Sequence, residues 1–326
     1  MTFNNFAILL HKMYTLVMTI FEKMENLQNL LEKNPDDIQT RQEFAQLLLN
    51  NNFPEDALNQ FLYIIKKEIF NSEIYYNLGI TYEKLKDLEK AEESYKKAIE
   101  LSNDNIDAIY NLGLVCIDRK EYEQGIGYFK KVIEADANDS NSYFSLAICY
   151  FKLKDYESAK INFLKTIELN NDDIYAHFYL GNTLKELNNN DAAKKEFYKV
   201  LQLSPDYSWA YYNLASIDYE NGDIDSAVKN IEKTIELNPK DVDAYKIYLK
   251  ILSKSGQYEK ASLVAQNAIE NCSEEGDLYY IYAQINKMQN MQENYISNMK
   301  KAIKYPNTLS VKAEMLKKEL ESFEKF

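Results

Sequence analysis

One 34-residue pattern recurs along most of this 326-residue chain, and it constrains the fold more than any other feature. The pattern is clearest between Ser72 and Asn105, where two short amphipathic segments flank a tight turn. Apolar residues recur at spacings of three and four within each segment, which predicts two helices. Such a unit cannot bury its apolar face alone, so successive units must stack. The sequence therefore predicts an all-α chain that grows by repetition rather than around one closed core.

The register of the repeat can be followed through eight units. They begin at Ile38, Ser72, Ile106, Ser140, Ile174, Ser208, Val242 and Gly276. The eighth and twentieth positions of the units are occupied by Gly or Ala, with Leu249 and Tyr295 as the two exceptions. Small residues at these positions let the two helices of a unit approach closely. The regular recurrence of two small columns indicates a single repeat architecture from residue 38 to residue 309.

The spacing of the recurring residues within a unit resembles that of a known repeat family. Its marked positions in the second unit are Tyr75, Leu78, Gly79, Tyr82, Ala91, Tyr95 and Ala98. This arrangement is similar to the tetratricopeptide repeat. The resemblance implies a right-handed α-α superhelix of about eight helix-turn-helix repeats, in which the first helices line a concave groove. We expect residues 1–37 to form a leader helix and a half-repeat, 38–309 the eight repeats, and 310–326 a C-terminal capping helix.

Residues 1–23 allow more than one interpretation. The apolar stretch from Phe6 to Phe21 is interrupted by His11 and Lys12 and is shorter than a bilayer-spanning segment. No basic residue precedes it and no small-residue cleavage site follows, which argues against a signal peptide. Its helical spacing favours an amphipathic leader helix over a membrane anchor. A start at Met24 is a further alternative.

Charge and cysteine usage narrow the classes of partner. The formal net charge is −13, from 38 Lys and Arg against 51 Asp and Glu, and lysines alternate with glutamates along the helices. Nucleic-acid binding depends on clustered basic residues, so this pattern argues against a nucleic-acid partner. The three cysteines form no spaced framework, and Cys116 and Cys149 lie on apolar helix sides, which predicts buried thiols in a reducing compartment. We expect a cytoplasmic location.

The inventory of catalytic groups is thin. The chain has only two histidines, His11 and His177, and His177 occupies the fourth position of its unit, which is aromatic in most others. We therefore interpret His177 as a packing residue. No Cys and His pair has the spacing of metal ligands, and no glycine-rich loop follows a strand. The sequence predicts a protein that is not an enzyme and that needs no cofactor.

In tetratricopeptide repeat proteins, which this chain resembles, ligands contact set positions of the first helices, among them the second, fifth and sixth. The fifth position is aromatic in six of the eight units, and the sixth is Asn77, Asn111 and Asn213 in three of them. An Asn amide offers a donor and an acceptor to a peptide unit of any sequence. The column is similar to the asparagine ladder of O-GlcNAc transferases, although it lapses at Ser145 and Tyr179. The alternative is that these asparagines serve packing and solubility and do not bind a peptide.

The fifth and sixth units carry a denser set of aromatic and amide residues than the others. Tyr175 and Trp209 both take the second position, where the family usually has a polar residue. An exposed aromatic cluster rimmed by amides is typical of a protein-binding hot spot. The predicted groove residues are Tyr76, Asn77, Tyr110, Asn111, Phe144, Tyr175, Phe178, Tyr179, Asn182, Trp209, Tyr212 and Asn213.

These observations predict a protein-interaction scaffold that binds a protein or an extended peptide. A non-catalytic recruiting subunit for a separate enzyme, such as a glycosyltransferase, is the alternative, and an anchoring role of the leader helix is a third. The carboxylate clamp of chaperone-binding relatives requires Lys, Asn and Arg at set groove positions. This chain has Gln42, Gln46 and Glu73 at such positions, so binding of chaperone tails is not expected.

Overall fold

The computed structural model describes residues 3–323, with side chains for residues 18–322. Within this range all regular structure is helical, with eighteen α-helices, one 3-10 turn and no strand. The chain divides into two compact units, Met1–Leu169 and Asn170–Phe326.

The helices of the N-terminal unit are α1 Phe3–Lys33, α2 Ile38–Asn50, α3 Pro54–Lys66, α4 Ser72–Lys84, α5 Leu88–Leu101, α6 Ile106–Asp118, α7 Tyr122–Ala135, α8 Ser140–Lys152 and α9 Tyr156–Leu169. Those of the C-terminal unit are α10 Ile174–Glu186, α11 Asn190–Leu203, α12 Ser208–Glu220, α13 Ile224–Leu237, α14 Val242–Lys254, α15 Tyr258–Asn271, α16 Gly276–Met288, α17 Gln292–Lys304 and α18 Ala313–Phe323, with a 3-10 turn at Pro306–Thr308. From α2 to α17 they form eight pairs whose first helices begin 34 residues apart. Within each unit every helix packs on its chain neighbours, so the predicted all-α solenoid of helix-turn-helix repeats is confirmed.

The turn inside each repeat has one backbone conformation throughout. The fifteenth residue of every repeat lies in the left-handed region, with φ between 59° and 82°. These residues are Asn52, Lys86, Lys120, Lys154, Asn188, Gly222, Gly256 and Asn290. Glycine adopts this conformation without strain, whereas a lysine pays a steric cost. The packing of each helix pair is therefore strong enough to impose the turn on unfavourable residues.

The start of the first helix is also specified by the sequence in most repeats. Six of the eight residues that precede these helices are Asp or Asn whose side chains accept a hydrogen bond from a backbone N–H of the first turn. They are Asp37, Asn71, Asn105, Asp139, Asp173 and Asp241. Such a cap satisfies one of the amide groups that a helix N-terminus leaves unpaired. Tyr207 and Glu275 take this position in the other two repeats and make no such bond.

The small eighth residue faces an aromatic ring of the second helix. A Cβ atom added to Gly113 would lie 2.7 Å from the ring of Phe129, and one added to Gly181 would lie 2.7 Å from that of Phe197. Both rings are completely buried at the twenty-fourth position of their repeats. The eighth and twenty-fourth positions are therefore coupled, because the absence of a side chain at the eighth leaves space for the ring at the twenty-fourth.

The two ends of the chain carry helices outside the repeats. α1 packs on α2 through Met24, Leu27 and Leu31. Of the predicted apolar stretch from Phe6 to Phe21, the part up to residue 17 lies outside the described side chains. α18 lies within the predicted capping segment, whose residues 324–326 are outside the described range, and buries Leu316 and Leu320 in one cluster with α16 and α17. Among the helices that the structure describes, none combines the length and the apolar character needed to cross a bilayer.

Candidate functional site

The fifth-position aromatics of the N-terminal unit pack inside their own repeats. The ring of Tyr110 lies 5.7 Å from that of Phe129, and the ring of Phe144 lies 5.7 Å from that of Phe163. Tyr76 packs on Tyr95 in a tilted arrangement, with ring centroids 6.1 Å apart. Edge-on contacts of this kind are favourable in their own right. The predicted groove residues Tyr76, Tyr110 and Phe144 are thus half-buried, and their packing explains why the column is aromatic.

The asparagines of the sixth column are placed differently from one another. Asn77 is buried, with 4% of its surface exposed. Asn111 is half-buried, and its amide donates to the Tyr95 hydroxyl over 3.4 Å. Asn213 is 8% exposed and its amide donates to the Trp209 carbonyl over 3.0 Å. Two of the three amides therefore have partners within the chain, and any ladder for a peptide backbone would have to compete with these bonds.

Repeats five and six expose aromatic rings at the second position of the first helix, where the earlier repeats have polar residues. Tyr175 and Trp209, at the second positions of α10 and α12, are 61% and 49% exposed. The same position holds the exposed polar residues Glu73, Asp107 and Asn141 in repeats two to four. Water-exposed rings of this size contribute little to folding, because folding leaves much of their apolar area in contact with solvent.

Each of these two rings belongs to a group of neighbouring aromatic side chains. Trp209 meets Tyr212 edge-on at 5.8 Å, and Phe178 lies 5.2 Å from Tyr207 and 5.7 Å from Tyr179. Burial raises the pKa of Tyr207, and the nearby Tyr175 and Tyr179 raise it further, so its hydroxyl stays protonated. We call the two groups together the aromatic patch; it consists of Tyr175, Phe178, Tyr179, Tyr207, Trp209 and Tyr212.

The replacement of Phe by Ile at one buried position separates repeat six from repeat five. Phe178 packs on Phe197 at the twenty-fourth position of repeat five, at 6.0 Å. Repeat six has Ile231 at that position; Tyr212 packs against the buried cluster that contains Ile231, and its ring contact is with the exposed Trp209. Burial raises the pKa of Tyr212, with a further contribution from Asp243 and Asp241. The patch therefore lies beside two carboxylates at the start of α14.

Tyr207 is the member of the patch that the sequence analysis missed. It stands where most repeats have a capping Asp or Asn, and α12 has no side-chain cap. A helix that forgoes a cap loses about 0.5–2 kcal/mol of stability. The signal was present in the sequence, because an aromatic residue breaks an otherwise polar column. Asn182 is half-buried on α10, one helix turn beyond Phe178.

The groups that could carry chemistry are engaged in structure. His177 is 6% exposed, and its two ring nitrogens lie 2.6 Å from a Glu196 carboxylate oxygen and 3.0 Å from the Asn171 carbonyl oxygen. Burial raises the pKa of the Cys116 thiol to about 11 and that of Cys149 to about 12, so neither is a reactive thiolate at neutral pH. Across the described residues no group of three or more His, Cys, Asp and Glu side chains could hold a metal ion.

The N-terminal unit contains a separate cavity. About 700 Å³ lies between α1, α2 and α3, with Phe21, Phe44 and Phe53 among its lining residues. The Arg41 guanidinium also lines it, 3.7 Å above the Tyr63 ring. Arg41 takes the fourth position of its repeat, which is aromatic in most other repeats.

The architecture defines the class of protein as an all-α repeat scaffold. Family profiles described as tetratricopeptide repeat match residues 21–72, 72–105, 106–139, 128–161 and 184–246. The chain belongs to the tetratricopeptide repeat family, whose repeats typically build non-catalytic scaffolds for protein interaction. Comparison of the sequence with curated proteins gave no match.

Solved structures share the fold at low identity. The C-terminal part of a TPR repeat-containing protein from Cytophaga hutchinsonii is 18% identical, with a TM-score of 0.61 over 70% of this chain and 94% of that one. A tetratricopeptide repeat protein from Parabacteroides merdae is 19% identical, with a TM-score of 0.57 over 77% of this chain and 98% of that one. YrrB, described as a TPR protein with an unusual peptide-binding site, is 24% identical, with a TM-score of 0.50 over 56% of this chain and 95% of that one.

Proposed function

We propose that this protein is an interaction scaffold that binds a protein or an extended peptide on the first-helix face of repeats five and six, through the aromatic patch. The observation that carries the proposal is the exposure of Tyr175 and Trp209 at second positions that are polar in repeats two to four. Large exposed rings on a rigid helical support are the groups that most often dominate the energy of a protein interface.

The energetics of the patch favour a role in binding over a role in folding. Tyr212 and Tyr207 are half-buried and support the exposed rings, Tyr212 by edge-on contact with Trp209 and Tyr207 by its position near Tyr175, so a partner would meet a preformed surface. A preformed site costs less conformational entropy on binding than a flexible one. Covering the exposed part of an indole ring also removes apolar area from water, which favours association.

Two further points support the proposal. Family membership makes a protein or peptide the expected kind of partner, and YrrB, which shares the fold, has a peptide-binding site of its own. All three cysteines of this chain are free, which agrees with the cytoplasmic location that forms part of the proposal.

Affinity capture with three forms of the full chain tests the proposal. The intact protein, Trp209→Ala and Tyr198→Ala would each be immobilised and exposed to a lysate of the source organism, with captured proteins quantified by mass spectrometry. Tyr198 is a matched control, because it is a 53% exposed aromatic on the second helix α11. We expect one partner to be retained by the intact protein and Tyr198→Ala but bound at least about thirtyfold more weakly by Trp209→Ala, as truncation of an anchor costs about 2 kcal/mol. Equal capture by all three forms would contradict the proposal.

A further inference from the structure

The first-helix face of repeats six to eight carries a cluster of hydrogen-bond donors at the opposite end of α12 from Trp209. Trp209, Tyr212, Ser216 and Tyr219 follow one another at spacings of three and four, so they form one stripe along α12. Trp209 and Tyr219 are ten residues apart, which is about 15 Å along the helix axis. The stripe therefore runs from Trp209 of the aromatic patch to the side chains that lie around Tyr219.

Two lysines of the next first helix surround Tyr219. The Nζ atoms of Lys250 and Lys254 on α14 each lie 5.6 Å from the centroid of the Tyr219 ring. Both side chains are exposed, and among the described side chains neither forms an ion pair with a carboxylate. Like charges four residues apart on a helix repel each other. An anion between the two ammonium groups would relieve that repulsion.

Neutral donors without acceptors lie on the same face. The Tyr219 hydroxyl is shielded from solvent and has no hydrogen-bond partner among the described residues, and the same holds for the amide nitrogen of Gln284. Gln284 occupies the ninth position of repeat eight and Lys250 the ninth of repeat seven, on helices α16 and α14 that contact each other. Buried polar groups in native proteins almost always have partners. These donors lack an acceptor.

The nearby acidic groups on α12 have partners of their own. Asp218 is buried and accepts from Lys194 Nζ at 2.5 Å and from the Asn230 amide at 2.8 Å. Glu220 accepts from Ser216 Oγ at 3.4 Å. The Ser216 hydroxyl in turn accepts from Lys185 Nζ at 3.0 Å, which brings a third lysine to the stripe. Three lysines therefore surround the Tyr219 end of the stripe against one exposed carboxylate, that of Glu220, on a chain whose formal charge is −13. Asp241 and Asp243 lie near Tyr212, towards the other end of the stripe.

We infer that the partner of the aromatic patch is an acidic peptide segment, whose apolar anchor covers Trp209 and whose carboxylate side chain binds between Lys250 and Lys254. On binding, the carboxylate displaces the side chains that shield the Tyr219 hydroxyl and accepts a hydrogen bond from it. This inference rests on the proposed function and adds the chemistry of the partner to it. A carboxylate fits because it offers negative charge and several acceptor lone pairs at one point. The distance of about 15 Å along α12 corresponds to four or five residues of an extended peptide.

Selection of peptides on the full chain tests the inference. A phage-displayed library of random 12-residue peptides would be selected on the immobilised intact protein, and the selected peptides would be synthesised with a fluorescent label. We expect enrichment of Asp or Glu four to five residues from an apolar residue. By fluorescence anisotropy at low salt, Lys250→Gln/Lys254→Gln should bind these peptides at least about tenfold more weakly than the intact protein does.

Control variants distinguish failure of this inference from failure of the proposed function. Lys229→Gln/Lys233→Gln removes the same charge at the same spacing from the second helix α13 and should leave affinity unchanged, while Lys250→Arg/Lys254→Arg should retain it. Selected peptides that depend on Trp209 but carry no excess of Asp or Glu, or that bind Lys250→Gln/Lys254→Gln as tightly as the control, would overturn the inference alone. Failure to select any peptide would also overturn the inference alone, because the proposed function includes a folded protein partner. Selected peptides that bind Trp209→Ala as tightly as the intact protein would overturn the proposed function as well.

Discussion

Tyr207 shows how one residue can mark a site by departing from its column. Six other repeats place a capping Asp or Asn at this point, and Tyr207 instead packs its ring against Phe178. The loss of a cap and the gain of a ring contact are of similar size, so stability alone does not account for the exchange. A tyrosine retained against local preference is the expected signature of a functional position.

Substitution of Tyr207 by Asp tests this account. The new side chain should restore a cap worth about 0.5–2 kcal/mol while the lost ring contacts cost about 0.5–1.5 kcal/mol. Chemical denaturation should therefore show a change in unfolding free energy below about 1 kcal/mol. Partner affinity should fall at least about tenfold, because the support of the patch is gone. Unchanged affinity in a folded Tyr207→Asp protein would remove Tyr207 from the site.

His177 confers a dependence of stability on pH. Burial by itself lowers the pKa of this histidine, but the hydrogen bonds to Glu196 and to the Asn171 carbonyl outweigh burial and raise the pKa above its ordinary value of 6.5. Because the folded pKa exceeds that of the unfolded chain, the stabilisation is fully present below about pH 6.5 and is lost as the pH rises through the folded pKa. The structure thus confirms the packing role predicted for His177 and adds an ion pair to it.

Denaturant unfolding between pH 5.5 and 8.5 tests the role of His177. The intact protein should lose stability over the alkaline part of this range relative to His177→Tyr, which places the commonest residue of the fourth column there. Since Tyr does not titrate below about pH 10, the difference between the two proteins should change with pH. Parallel pH profiles would show that the Glu196 contact does not stabilise the fold.

At the scale of the element, the left-handed turn residue between paired helices has a measurable effect on the free energy of unfolding. Lys120 adopts φ of 63°, whereas Gly222 adopts 82° at the equivalent point of its repeat. Lys120→Gly should stabilise the protein by about 0.5–1 kcal/mol, because the steric cost of about 1–2 kcal/mol exceeds the extra entropy that glycine loses. Gly222→Ala should destabilise it by about 1 kcal/mol. Thermal unfolding of both variants checks the prediction, and shifts of the same sign would refute it.

The predictable part of the fold lies in columns that obey a local rule. The starts of the first helices, the small eighth residues and the glycines of the turns follow from backbone geometry and helix packing, which act within one repeat. The fifth column was harder to interpret, because an aromatic residue looks the same in sequence whether its own repeat or a partner covers it. The ring contacts of the fifth column differ between repeats: Tyr110 meets the buried Phe129 of its own second helix, whereas Tyr212 meets the exposed Trp209. The bonds made by Asn111 and Asn213 were likewise invisible to spacing alone.

At the scale of the whole molecule, repetition allows local specialisation. Within each of the two units a repeat contacts mainly its neighbours, so repeats five and six can carry exposed rings without loss of order elsewhere. Because contacts are limited to neighbouring repeats, lysines can also be concentrated on α14 although the chain as a whole is acidic. A scaffold of this kind separates the residues that hold the stack from those that meet a partner.

The emission of Trp209 tests the central claim most directly, because it is the only tryptophan in the chain. In the free protein the indole is 49% exposed and should emit at the wavelength of a partly hydrated ring. Addition of the captured partner should shift the emission to the blue, since the partner removes water from the ring, and Tyr198→Ala should give the same shift. An unchanged emission spectrum while the anisotropy of labelled partner reports full binding would place the interface elsewhere and contradict the account.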